Sequence, residues 1–210
     1  MQQDVELWRL TTAIVSGDPA TTSRLLQASP SLATTCFRAG ATRASAKAYY
    51  LDRIGRYINA GDTALHIAAA CYETPLVRNL IKLHADVHAR NRLGQQPLHA
   101  AAVGAPGSGS WNPSEQAATI VALIEAGADP NAIDKFGVAP LHRAVRTRCA
   151  TAVRILLERG ADPAKRNRSG STPMLLAMKN TGRGGSGSPE ARFEREEILR
   201  LLRQSLSTVP

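Results

Sequence analysis

An internal repeat constrains this chain more than any other feature of its sequence. Four segments begin alike: Gly61-Asp-Thr-Ala-Leu-His66, Gly94-Gln-Gln-Pro-Leu-His99, Gly137-Val-Ala-Pro-Leu-His142 and Gly170-Ser-Thr-Pro-Met-Leu175, with last residues 33, 43 and 33 apart. A second series follows at a fixed offset: Leu83-His-Ala-Asp86, Ala126-Gly-Ala-Asp129 and Arg159-Gly-Ala-Asp162. A unit this short cannot bury an apolar face alone. Recurrence at a fixed interval therefore predicts that neighbours stack into an array with one shared core.

The residue types predict two helices in each unit. Thr63 or Thr172 can cap the first, and Pro97, Pro140 or Pro173 suits its first turn, where a missing N–H costs nothing. Leu65, Leu98 and Leu141 then point inward. Small residues follow (Ala68-Ala69, Ala100-Ala101, Ala144) and let paired helices approach closely. Gln96 and Ala139 stand where the capping Thr is expected, so those starts are predicted to be weaker. The spacing of Val153, Leu156 and Leu157 gives the second helix a buried stripe. Gly127 and Gly160 suit a left-handed helix stop, and His84 takes that place at the cost of strain.

These motifs resemble the ankyrin-repeat family, whose unit is 33 residues long with a T-P-L-H-x-A signature. The resemblance covers roughly residues 3–206 and is generically similar to stand-alone bacterial members. It implies an all-α solenoid of helix-turn-helix units with β-turn fingers, about five units including caps. It divides a single domain, residues 1–206, into an N-terminal unit (3–35), an insertion (34–57), repeats at 58–90, 91–133, 134–166 and 167–206, and a tail (207–210). It also implies a non-enzymatic protein-interaction module, expected to be monomeric. In such arrays the turns before each signature and the first helices line a concave groove that takes the partner. On this chain that groove maps to Arg90, Arg92, Leu93, Lys135, Phe136, Arg166 and Arg168 at the turn tips and Arg143 and Arg146 on the first helices.

Charge agrees with that placement. The chain carries 26 basic and 17 acidic residues, a formal net charge of +9, which favours an acidic or mixed partner surface. Asp134 is the main counter-charge expected in the groove. The alternative partner is a nucleic acid or another anionic ligand, which a steep salt dependence would reveal.

Three insertions depart from the regular unit. The first, residues 34–57, holds Arg38, Arg43, Lys47, Arg53 and Arg56 against Asp52 alone, with Tyr49, Tyr50 and Tyr57. Tyr and Arg are enriched in binding hot spots, so Tyr49 and Tyr50 are candidate contacts. The structural reading of the same segment is an extra helix from Arg43 to Tyr57 that covers the end of the array. The other two, around Ala105–Pro113 and Thr181–Pro189, both contain Gly-Ser-Gly-Ser shortly before a Pro and fall between the helices of a repeat. Glycine-rich amides and helix starts suit an anion. With Arg146, Arg148, Arg183, Ser108 and Ser186 nearby, an anion site on that edge is a second candidate, set against plain flexible connectors.

Catalytic and metal chemistry find little footing. Gly182-Arg-Gly184-Gly-Ser-Gly187 matches a dinucleotide fingerprint, but a repeat helix precedes it where a strand is required. His66, His99 and His142 recur once per layer, too far apart to share one metal. Cys149 lies near Arg146 and Arg148 without a histidine base close in the repeat. No catalytic residue, metal or cofactor is expected. Three cysteines make no disulfide framework, and the acidic start MQQDVELWRL lacks the apolar core of a signal peptide. A cytoplasmic setting without a membrane is expected.

Overall fold

The computed structural model describes residues 2–105, 111–179 and 189–207. Ten α-helices occur among them: α1 (Gln2–Ser16), α2 (Pro19–Ala28), α3 (Ala64–Ala70), α4 (Thr74–Lys82), α5 (Pro97–Ala101), α6 (Pro113–Glu125), α7 (Pro140–Arg146), α8 (Ala150–Glu158), α9 (Pro173–Met178) and α10 (Pro189–Ser207). Odd-numbered helices stack in one row and even-numbered helices, from α4 onward, in another. The core runs between the rows. Leu65, Leu98 and Leu141 are buried in it, with Ala68, Ala101 and Ala144 at the close helix contacts. The outer helices contribute Val77 and Leu80, Ile120 and Leu123, and Val153 and Leu156 at equivalent places.

The caps follow the sequence closely. The Thr63 hydroxyl accepts from the backbone N–H of His66, and the Thr172 hydroxyl from that of Leu175. Asn112 caps α6 by accepting from Ser114 and Glu115. Gly127 and Gly160 adopt the left-handed backbone after their helices, and His84 does so at φ 64°. A second left-handed point lies in the turn joining two helices of one repeat. Gly17 occupies it first, but Tyr72 and Arg148 occupy it later, at φ 59° and 56°. A side chain there costs about 1 kcal/mol or more. The Tyr72 hydroxyl donates to the Val103 carbonyl, so its side chain is tied down in return.

The helix expected from Arg43 to Tyr57 does not form. The segment instead makes two short 3-10 turns, Ala46–Tyr49 and Asp52–Ile54, and a small antiparallel hairpin of β1 (Tyr50–Leu51) and β2 (Arg56–Tyr57). Gly55, left-handed at φ 57°, turns the chain. The Tyr50 and Tyr57 rings pair across the hairpin with centroids 4.7 Å apart. Ahead of the hairpin, Phe37 donates its N–H to Asp62, Gly61 to Phe37, and Ala41 to Ile58. The insertion thus lays its own backbone along the turn preceding α3. Gly40 is required there, because a Cβ would come within 2.3 Å of the Ala60 nitrogen.

Candidate functional site

The repeats that begin at Asn91, Asp134 and Asn167 each open with a turn, here called a finger, that is folded by one side chain. The Asn91 carboxamide oxygen accepts from the N–H groups of Leu93 and Gln95 at 3.0 and 3.1 Å. Asp134 does the same for Phe136 and Val138, and Asn167 for Ser169 and Ser171. The sequence reading named Asp134 only as a counter-charge and missed this shared role. Its signal was there: Asn or Asp recurs at one place in the repeat, and both types favour such turns.

Successive fingers are joined through their backbones. Arg92 donates its N–H to Ala60, Lys135 to Leu93 and Arg168 to Phe136, at 2.7, 2.9 and 3.0 Å. Equivalent residues therefore line up from finger to finger. Arg92, Lys135 and Arg168 form one file of cations, and Leu93 and Phe136 form an apolar file beside it. Phe136 is 59% exposed, so a large aromatic ring stands in solvent between cations.

The candidate groove residues are not equivalent. Lys135, Arg146 and Arg168 are exposed, and their side chains make no hydrogen bond or ion pair to the described residues. Three others are partly committed to the scaffold. Arg90 donates to the carbonyls of Gly94 and Ile133 at 3.0 and 2.8 Å. Arg92 donates to Asn59 and to the Ala41 carbonyl. Arg166 donates to the Gly170 carbonyl at 2.8 Å. Arg143 is tied to buried Asp134 at 2.9 Å. Burial lowers its pKa from the ordinary arginine value, and Asp134 opposes that shift. Its main contact is thus internal.

The insertion tyrosines also divide. Tyr49 is half-buried against Trp8, with ring centroids 5.9 Å apart, whereas Tyr50 is exposed. Of the candidate edge anion site, Arg146 and Arg148 lie among the described residues. Arg148 is only 5% exposed, and Arg183, Ser108 and Ser186 lie outside the described residues.

The repeated histidines have a defined task. Backbone N–H groups of Thr63, Gln96 and Ala139 donate to Nδ1 of His66, His99 and His142 at 3.1–3.2 Å. That bond fixes the proton on Nε2, which donates to the carbonyl of Gln95, Val138 or Ser171 in the next repeat. Gln96 and Ala139 thus keep an ordered helix start although neither side chain caps it. Burial holds all three imidazoles below the ordinary histidine range, with His99 at about 4. Burial likewise pushes the Cys71 and Cys149 thiols up to about 12, opposite to the shift a nucleophile needs. Among the described residues no helix is long and apolar enough to cross a membrane.

Parts of the chain are similar in sequence to known proteins. A family model described as "Ankyrin repeat" matches residues 60–92, and one described as "Ankyrin repeats (many copies)" matches residues 123–177. Ankyrin repeat and SOCS box protein 16 of Mus musculus is 38% identical over 131 residues, covering 62% of this chain and 28% of that protein. NF-kappa-B inhibitor alpha of Mus musculus is 33% identical over 100 residues, covering 46% of this chain and 29% of that protein. Neurogenic locus notch homolog protein 1 of Xenopus tropicalis is 31% identical over 142 residues, covering 56% and 6%. The chain spans under a third of the length of each of these relatives.

Proposed function

Because the chain is an ankyrin-repeat protein, we propose that it is a non-enzymatic interaction module that docks an acidic or mixed protein surface on its finger row. Ankyrin repeats are in general protein-interaction scaffolds, and the name of one relative, NF-kappa-B inhibitor alpha, states action on another factor. The observation that carries the reading is the paired file on successive fingers. Arg92, Lys135 and Arg168 supply a line of positive charge, and exposed Phe136 supplies an apolar anchor within it. Rim cations steer encounter, while a desolvated aromatic ring holds the complex.

Lys135→Glu with Arg168→Glu is the test pair, since neither side chain holds the scaffold. Arg143→Glu would instead break the bond to Asp134 and confound binding with folding. Immobilised wild type should capture a partner from the source cell whose docking surface is acidic. The double variant should slow its association about tenfold at low salt, and Phe136→Ala should speed its dissociation. An unchanged association rate would overturn the finger-row reading. Capture of nucleic acid alone, with steep salt dependence, would replace it with the rival.

A further inference from the structure

Beyond the finger row, the C-terminal repeat contains a second basic feature. A cavity of about 360 Å³ opens between the ends of α7 and α9 and the face of α10. Four cations line it, Arg146, Arg148, Lys179 and Arg195, together with Ser169 and Ser171, and among the described residues no acidic one lines it. Glu194, next to Arg195 in sequence, accepts instead from the Ala150 N–H at the start of α8, at 2.7 Å.

The four cations differ in exposure and in how they are held. Arg195 is held by the end of α9: its Nε donates to the Ala177 carbonyl and its Nη2 to that of Met178, at 3.0 and 3.1 Å. Arg148 is buried and comes from a left-handed turn. Arg146 and Lys179 are exposed at the mouth. Two cations at the wall and two exposed ones at the rim can surround a compact anion on several sides. The lining is mostly polar, and the hydroxyl-bearing Ser169 and Ser171 come from the finger that Asn167 folds.

We propose that this cavity binds a phosphate monoester, on a phosphorylated side chain or on a small free ester. A dianion with three terminal oxygens can take charge-assisted bonds from several such donors at once, whereas a carboxylate offers one charge and two oxygens. The proposal does not depend on the finger-row reading, because Lys135 and Arg168 lie outside the cavity lining.

Calorimetric titration of the intact chain at constant ionic strength tests it, with inorganic phosphate, O-phosphoserine and an end-capped phosphoserine hexapeptide as probes. Arg146→Ala with Lys179→Ala removes the two exposed cations. Arg24→Ala with Lys82→Ala removes two exposed cations elsewhere, and thermal melts report that both variants fold. The expected result is phosphate-ester binding that weakens at least about tenfold in the cavity variant, about 1.4 kcal/mol, and stays unchanged in the control. Binding of the capped peptide would identify the ligand as a protein side chain. Binding of free O-phosphoserine alone would identify a small ester. No heat with any probe at millimolar concentration, or equal loss in both variants, overturns the proposal.

Discussion

The three internal repeat junctions and the last repeat are built on one pattern with opposite chemistry. His66, His99 and His142 are buried, and each reaches the carbonyl of the following repeat. Leu175 stands at the same position in the last repeat and is 43% exposed. One turn further along the helix, Ala69, Ala102 and Val145 are buried, whereas Met178 is 58% exposed. The histidine serves to join repeats: it spends one nitrogen on its own helix start and the other on its neighbour. Where no later carbonyl approaches among the described residues, the position has lost its polar task and become apolar.

Deleting an internal histidine should break this contrast most strongly. His99→Ala strands the Gln96 N–H and the Val138 carbonyl in a buried site and leaves a void. The expected cost is about 3–5 kcal/mol, from two unsatisfied groups and the lost packing. Urea unfolding measures it. A loss under 1 kcal/mol would mean that the junction is held by apolar stacking alone.

Acidification should act on the same junctions. Protonation would place a hydrogen on Nδ1, where a backbone N–H already points. Burial, with Arg143 adding to it, lowers the His99 pKa from about 6.5 to about 4. The unfolded chain therefore binds more protons than the folded one between those values. Stability is fully present above pH 6.5 and declines as pH falls toward 4. His99 alone accounts for up to about 3 kcal/mol of that decline. His66 and His142 shift in the same direction. Unfolding free energy measured from pH 7.5 to 4, on the wild type and on His99→Gln, should show a shallower slope in the variant. Equal slopes would remove His99 as the cause.

How much of this was legible in the sequence depends on the range of the forces involved. The repeat was legible because each unit solves the same local problem: Thr63, Thr172, Pro97 and Gly127 act within a few residues of themselves. The insertion misled because Tyr50, Ile54 and Tyr57 have helical spacing. Gly55 turns the chain, and backbone bonds from Phe37 and Ala41 reach across to the segment before α3. The groove was legible as a set of cations. Which of them remain available was not, since Arg143 is claimed by Asp134 only after the finger folds back on α7. The cavity beside α9 was half legible. Arg146 and Arg148 were singled out together, but Arg195 joins them only through packing of α10.

The smallest effect belongs to the last repeat, and it sharpens the comparison most. Leu175→Ser removes an apolar side chain that is already partly in water and strands no polar group, because no histidine-type bond is made there. Stability should change by only about 0.5 kcal/mol in either direction. The equivalent change at an internal junction, His142→Ser, should cost several times more, since the Ser171 carbonyl and the Ala139 N–H both lose a buried partner. Parallel urea titrations of the two variants give the ratio directly. If Leu175→Ser also cost about 2 kcal/mol or more, the exposed face at the end of α9 would be covered in solution, and the last junction would be of the same kind as the others.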